Sequence, residues 1–181
     1  MAPTKRRAIV LLVALLACAA GGVFAWRARQ RMLETEAIHR NNLGVALLEG
    51  NWRGERGLAD AAVVELEAAL RCKPDYRLAR INLGMAQYYR GLQDTGSDGF
   101  EKAAEILETI LGSEPNNVFA HFTLCCARWQ REEHKEALEQ FEAVRALDPL
   151  DMPSLFFLAD CLKGLGRNDA QRVLADRAGR A

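Results

Sequence analysis

The sequence predicts an all-α fold, a solenoid of about four helix pairs behind an N-terminal hydrophobic helix, and three observations predict it. From about Ala37 onward Ala, Leu, Glu and Arg dominate, and apolar residues recur at three- and four-residue spacing. Proline punctuation recurs at Lys73-Pro74-Asp75, Glu114-Pro115-Asn116 and Asp148-Pro149, with 34 residues from Pro115 to Pro149. Between these marks, small residues return at fixed offsets, as they must wherever two helix backbones approach closely.

The N-terminal segment, residues 1–31, comes first. Lys5-Arg6-Arg7 precedes nineteen residues without a charge, Ala8 to Trp26, and Arg27, Arg29 and Arg31 follow. As a helix this run would be about 28 Å long, close to the roughly 30 Å of a bilayer hydrocarbon core. The expectation is a membrane-attached chain with a single-pass anchor over Ala8–Trp26, a cytoplasmic N-terminus and the repeat domain outside the cytoplasm. A cleaved secretory signal and a lipid on Cys18 within Leu15-Leu16-Ala17-Cys18 are the two alternatives.

Residues 32–181 form the repeat domain. In one unit Leu124-Cys125 is followed by Ala137, Phe141 and Pro149. Leu83-Gly84 leads in the same way to Ala103, Leu107 and Pro115, and Leu43-Gly44 leads to Ala62, Leu66, Ala69 and Pro74. Leu158-Ala159 opens a fourth unit that ends near Gly164-Leu165-Gly166. These offsets are those of the tetratricopeptide-repeat (TPR) signature, and the chain resembles that family from about Ala37 to Ala175. The phrases Asn41-Asn42-Leu43-Gly44 and Ala79-Arg80-Ile81-Asn82-Leu83-Gly84 also resemble the exported TPR modules that precede ASPIC/UnbV-type domains in bacterial proteins. The first two units depart from the pattern. Gly44 to Ala62 and Gly84 to Ala103 are six and seven residues longer than Cys125 to Ala137, and the extra residues read as glycine-rich loops, Gly50–Gly57 and Gly91–Gly99.

Composition narrows the chemistry. With 24 Lys+Arg against 24 Asp+Glu the net charge is zero, which removes the electrostatic basis for nucleic-acid binding. The five cysteines contain no CxxC pair, and His39, His121 and His134 have no partner at metal-ligand spacing, so no metal and no cofactor are expected. No Ser/His/Asp or Cys/His constellation and no phosphate-binding loop suggests an enzyme. Asp94-x-Gly96-x-Asp98-Gly99 followed by Glu105 matches four places of an EF-hand loop, against a plain reading as a solvated loop with Asp98 or Ser97 capping the next helix.

The resemblance implies a concave face lined by the first helix of each repeat and used to bind peptides or partner helices. In that frame the inward residues are Asn41, Val45 and Leu48, then Leu78, Ile81, Met85, Tyr88 and Tyr89, then Phe119, Phe122, Cys126 and Trp129, then Phe156, Asp160 and Lys163. Leu78, Ile81, Met85, Tyr88, Tyr89, Phe119, Phe122 and Trp129 are the candidate partner-binding residues, with Tyr88, Tyr89, Phe119 and Trp129 expected to be exposed. The expected function is a scaffold or adaptor that binds a partner protein or peptide in an apolar, aromatic groove. The alternative is a small-ligand or metal sensor built on the glycine-rich loops.

Overall fold

The computed structural model describes residues 3–53, 55 and 57–148. Six helices follow one another: α1 (Pro3–Trp52), α2 (Leu58–Cys72), α3 (Arg77–Gln93), α4 (Gly99–Ser113), α5 (Val118–Gln130) and α6 (His134–Leu147). The expected fourth pair, with Phe156, Asp160 and Lys163, lies outside the described residues.

Each helix buries one stripe. In α2 the buried residues are Ala59, Ala62, Val63, Leu66 and Ala69; in α4, Phe100, Ala103, Ala104, Leu107 and Ile110; in α6, Ala137, Phe141 and Val144. Pro74 and Pro115 sit in the turns between pairs, where a helix cannot continue through them. After the second turn Asn117 accepts the Ala120 N–H at 3.0 Å and caps α5. Gly57, in the left-handed region at φ 81°, lets the chain reverse into α2.

The pairs are α1·α2, α3·α4 and α5·α6, and each first helix also packs on the second helix before it. Leu48 of α1, Ala62, Val63 and Leu66 of α2, and Leu83 and Ala86 of α3 form one cluster. Ala103, Ala104, Leu107 and Ile110 of α4 close a second with Ala120, Leu124 and Ala127 of α5. Full burial of Leu66, Leu107 and Phe141 stabilises the stack by roughly 1.5–3 kcal/mol each.

The small-residue register is as the sequence implies. A Cβ on Gly44 would lie 2.6 Å from Leu66 Cγ, and one on Gly84 would lie 3.0 Å from Leu107 Cδ2. At the third such position Cys125 meets the partner helix through an Sγ–H donated to the Ala137 carbonyl at 3.0 Å. Ala62, Ala103 and Ala137 have no exposed surface.

Two expectations are corrected. The glycine-rich insertions are only partly loops: Gly50 to Trp52 extend α1 and Gly91 to Gln93 extend α3, leaving short connections after each. The glycines there serve close approach. A Cβ on Gly50 would lie 2.7 Å from Leu58 Cδ1, and one on Gly91 would lie 2.7 Å from the Phe100 ring. The first two pairs are therefore about a turn taller than the third. The second correction concerns the membrane. Among the described residues no helix is long and apolar enough to cross a bilayer, which overturns the expected single-pass anchor and the exported placement built on it. The physical reason is length: among the residues whose side chains are described, only Gly21–Trp26 precede Arg27, Arg29, Arg31, Glu34 and Glu36, and so short an apolar stretch cannot span a hydrocarbon core. The side chains of residues 8–20, Cys18 included, lie outside the described residues.

Candidate peptide-binding face

The first helices α1, α3 and α5 lie side by side, and α1 and α3 are joined by Asn82 Nδ2 donating to Asn41 Oδ1 at 2.9 Å. Asn41 is buried and turns its own amide towards Asn42 Oδ1 at 3.4 Å. The amides of this face are thereby occupied with one another.

Counting back six residues from Gly44, Gly84 and Cys125 reaches Ile38, Leu78 and Phe119. Each is exposed, at 44%, 55% and 41% respectively. One position of the repeat thus presents a large apolar side chain to solvent in three successive first helices. Two residues further on, Arg80 donates to the Pro74 carbonyl at 2.7 Å, and His121 Nε2 lies 2.8 Å from the Pro115 carbonyl. His121 Nδ1 lies 2.8 Å from Gln140 Oε1, as Arg40 Nη1 lies 2.8 Å from Glu65 Oε2 in the first pair. These bonds hold the start of each first helix against the turn or helix behind it, so the apolar row has a fixed base.

Beside the row are two ion pairs of opposite sense. Lys73, in the turn after α2, reaches Glu34 of α1 at 2.6 Å, and Glu114, in the turn after α4, reaches Arg77 of α3. Glu114 also accepts from the Asn117 amide at 2.9 Å, and this bond, then Arg77, holds its carboxyl below the usual carboxylate range. The Glu34 partner raises the Lys73 ammonium in the same way. Arg77, Glu114, Pro115, Asn116 and Asn117 line an open pocket next to the row.

The remaining sequence candidates sit deeper. Ile81 and Tyr88 pack on the cluster between α4 and α5, Met85 and Tyr89 on that between α1 and α2, and Phe122 and Trp129 on Cys125, Ala137 and Phe141. Tyr88 lies edge-on to Tyr89, with ring centroids 5.4 Å apart, and 5.9 Å from Phe100. Burial pushes its phenol up, while a bond to the Gln130 side chain opposes the shift. The Trp129 ring lies 4.5 Å from that of His134, tilted by 52°. Of the four aromatics expected to be exposed, Phe119 is; Tyr88, Tyr89 and Trp129 are half-buried. The contribution of Ile38 went unseen in the sequence, although its offset from Gly44 matched that of Leu78 from Gly84.

The loop that matched part of an EF-hand has other commitments. Asp98 bonds Lys102 and Arg90, which draw its carboxyl down, and Asp94 Oδ1 accepts the Gly96 N–H at 3.0 Å. No group of three His, Cys, Asp or Glu side chains suited to a metal occurs among the described residues.

No protein-family profile matches the sequence, and no curated protein aligns with it. Solved structures do match in shape. MamA AMB-1 superimposes with TM-score 0.57 at 20% identity, over 75% of this chain and 71% of that one. MamA from Desulfovibrio magneticus RS-1 gives 0.62 at 18% identity, covering 80% and 72%. The first TPR domain of human RPAP3 gives 0.56 at 17% identity, covering 70% and 94%. At these identities the likeness establishes the fold, and the protein is a TPR-like helical-repeat solenoid.

Proposed function

We propose that this chain is a scaffold or adaptor that captures a helical segment of a partner protein on its first-helix face. The observation that carries this reading is the row Ile38, Leu78 and Phe119, exposed at one repeat position in three consecutive units. Aligned apolar side chains on a rigid surface are what binding hot spots are made of, whereas scattered ones carry no such meaning.

The occupied amides favour a helix over an extended strand. An extended ligand brings backbone N–H and C=O groups that need partners, and Asn41 and Asn82 already bond each other. A helix has satisfied its own backbone and asks only for apolar contact. The fold neighbours, including a TPR domain, agree with a binding module, and the Asp98 carboxylate, already held by Arg90 and Lys102, weighs against a loop-based sensor.

The test is co-precipitation of interacting proteins from native cells with the wild-type chain and with Leu78→Asp/Phe119→Asp. Both residues are exposed, so helical circular dichroism should be unchanged while capture is lost. Retention of the same partners at full yield by the double variant would remove this face from consideration.

A further inference from the structure

We propose that α1 pairs two copies of this chain, antiparallel, through a second face that its own chain leaves uncovered. At about 100° per residue, Phe24, Ala28, Met32, His39, Leu43 and Ala46 fall within one narrow stripe of the helix. All six are exposed, with Phe24 at 76% and Met32 at 74%. The stripe contains no Asp, Glu, Lys or Arg over six turns, although Arg27, Arg29, Arg31, Glu34 and Glu36 surround it on the same helix.

The lower half of this stripe continues an interface the chain already uses. By repeat position His39, Leu43 and Ala46 correspond to Ala79, Leu83 and Ala86 of α3, and to Ala120, Leu124 and Ala127 of α5. Those six are buried where α3 sits on α2 and α5 on α4. On α1 the same side is open: Leu43 is 40% exposed where Leu83 and Leu124 are 7% and 1%. The surface is thus of a kind that this fold covers with a helix, and the upper half extends it beyond the reach of α2.

Charge selects the occupant and its direction. The N-terminal part of α1 beside the stripe is basic, with Arg27, Arg29 and Arg31, and the part beyond is net acidic, with Glu34, Glu36 and Glu49 against Arg40. A parallel copy would set arginine against arginine. An antiparallel copy centred between residues 37 and 38 sets Arg27 beside Glu49 of the partner, Met32 over Leu43 and Ala28 over Ala46. A two-fold pairing makes every such contact twice, which is the commonest symmetry of soluble oligomers.

The test is sedimentation equilibrium of the full chain from low micromolar to about 100 µM, since dimerisation must depend on concentration. The expected limit is twice the 20.1 kDa chain mass. Leu43→Asp, on an exposed residue, should raise the dimer dissociation constant at least about tenfold. Arg27→Glu and Glu49→Arg should each weaken the dimer, and the double variant Arg27→Glu/Glu49→Arg should restore it. A monomer across the whole range overturns the proposal. So does a dimer indifferent to Leu43→Asp, or one that the double charge reversal fails to rescue. Partner capture through Leu78 and Phe119 is a separate measurement and can succeed or fail independently.

Discussion

Two glycines of α4 make opposite predictions for one chemical change. Alanine in place of glycine within a helix is ordinarily favourable by roughly 0.5–1 kcal/mol, because the unfolded chain loses freedom. Gly112 has nothing within 4 Å of a built Cβ, so Gly112→Ala should realise up to about 1 kcal/mol of that gain. At Gly99 the same Cβ would lie 2.5 Å from Gly91 N, 2.6 Å from the Gln87 carbonyl oxygen and 2.9 Å from Gly91 Cα. All three are backbone atoms, which no rotamer change can move. Carbon contacts are comfortable near about 3.5–4.0 Å, so α3 and α4 would have to separate by roughly 1 Å where they meet. Overpacking of this kind costs about 1–3 kcal/mol and sometimes more, which outweighs the propensity gain. Urea denaturation followed by helical circular dichroism should therefore raise the midpoint for Gly112→Ala and lower it for Gly99→Ala. Equal shifts of one sign would refute the reasoning, because they would mean that α3 and α4 do not approach at Gly91 and Gly99.

Two further outcomes follow from single residues. Phe141, fully buried beneath Phe122 and Cys125, should lose about 3–5 kcal/mol of stability as Phe141→Ala, measured by the same denaturation. Glu114 has a folded-state carboxyl held below its ordinary value of 4.5, so its contribution is present above that pH and lost as pH falls through the depressed value. Glu114→Gln should lower stability slightly at neutral pH and flatten the acid limb below about pH 4.5, so that variant and wild type converge in acid; an identical acid limb would exclude that contribution.

Much of the packing was legible because close approach leaves few residue choices. Gly44, Gly84 and the alanines at 62, 103 and 137 have to be small, and their offsets alone disclose the repeat. The same reasoning misled at Gly50 and Gly91. In sequence a glycine cluster reads as a loop, whereas these two are helical and tolerate no side chain against Leu58 and Phe100. Exposure was harder still. Tyr88, Tyr89 and Trp129 lie on the first-helix side, but their rings reach down into the contacts between repeats, a depth that helical periodicity alone does not encode. Ile38 escaped notice for another reason. Its repeat has no capped beginning, since α1 runs through it from far upstream, and so no local signal marked where the first unit starts.

Lys73 and Glu114 hold the same repeat position, just before the proline of each turn, with opposite charge, and each reaches a first helix, at Glu34 and at Arg77, residues that stand about one helical turn apart in the repeat frame. A newly synthesised chain with similar helices can mate a first helix to the wrong second helix, a characteristic error of repeat proteins. If α1 took the place of α3 against α4, Glu34 would come near Glu114; if α3 took the place of α1 against α2, Arg77 would come near Lys73. Surface charges are worth at most about 1 kcal/mol, too little to hold the solenoid together. Placed as like charges in the mismatched partnerships and as opposite charges in the matched ones, they act twice over in sorting one helix from another. The repeats are consequently keyed rather than interchangeable, and exchanging Glu34 with Arg77 would leave composition and net charge untouched while blurring which helix belongs to which.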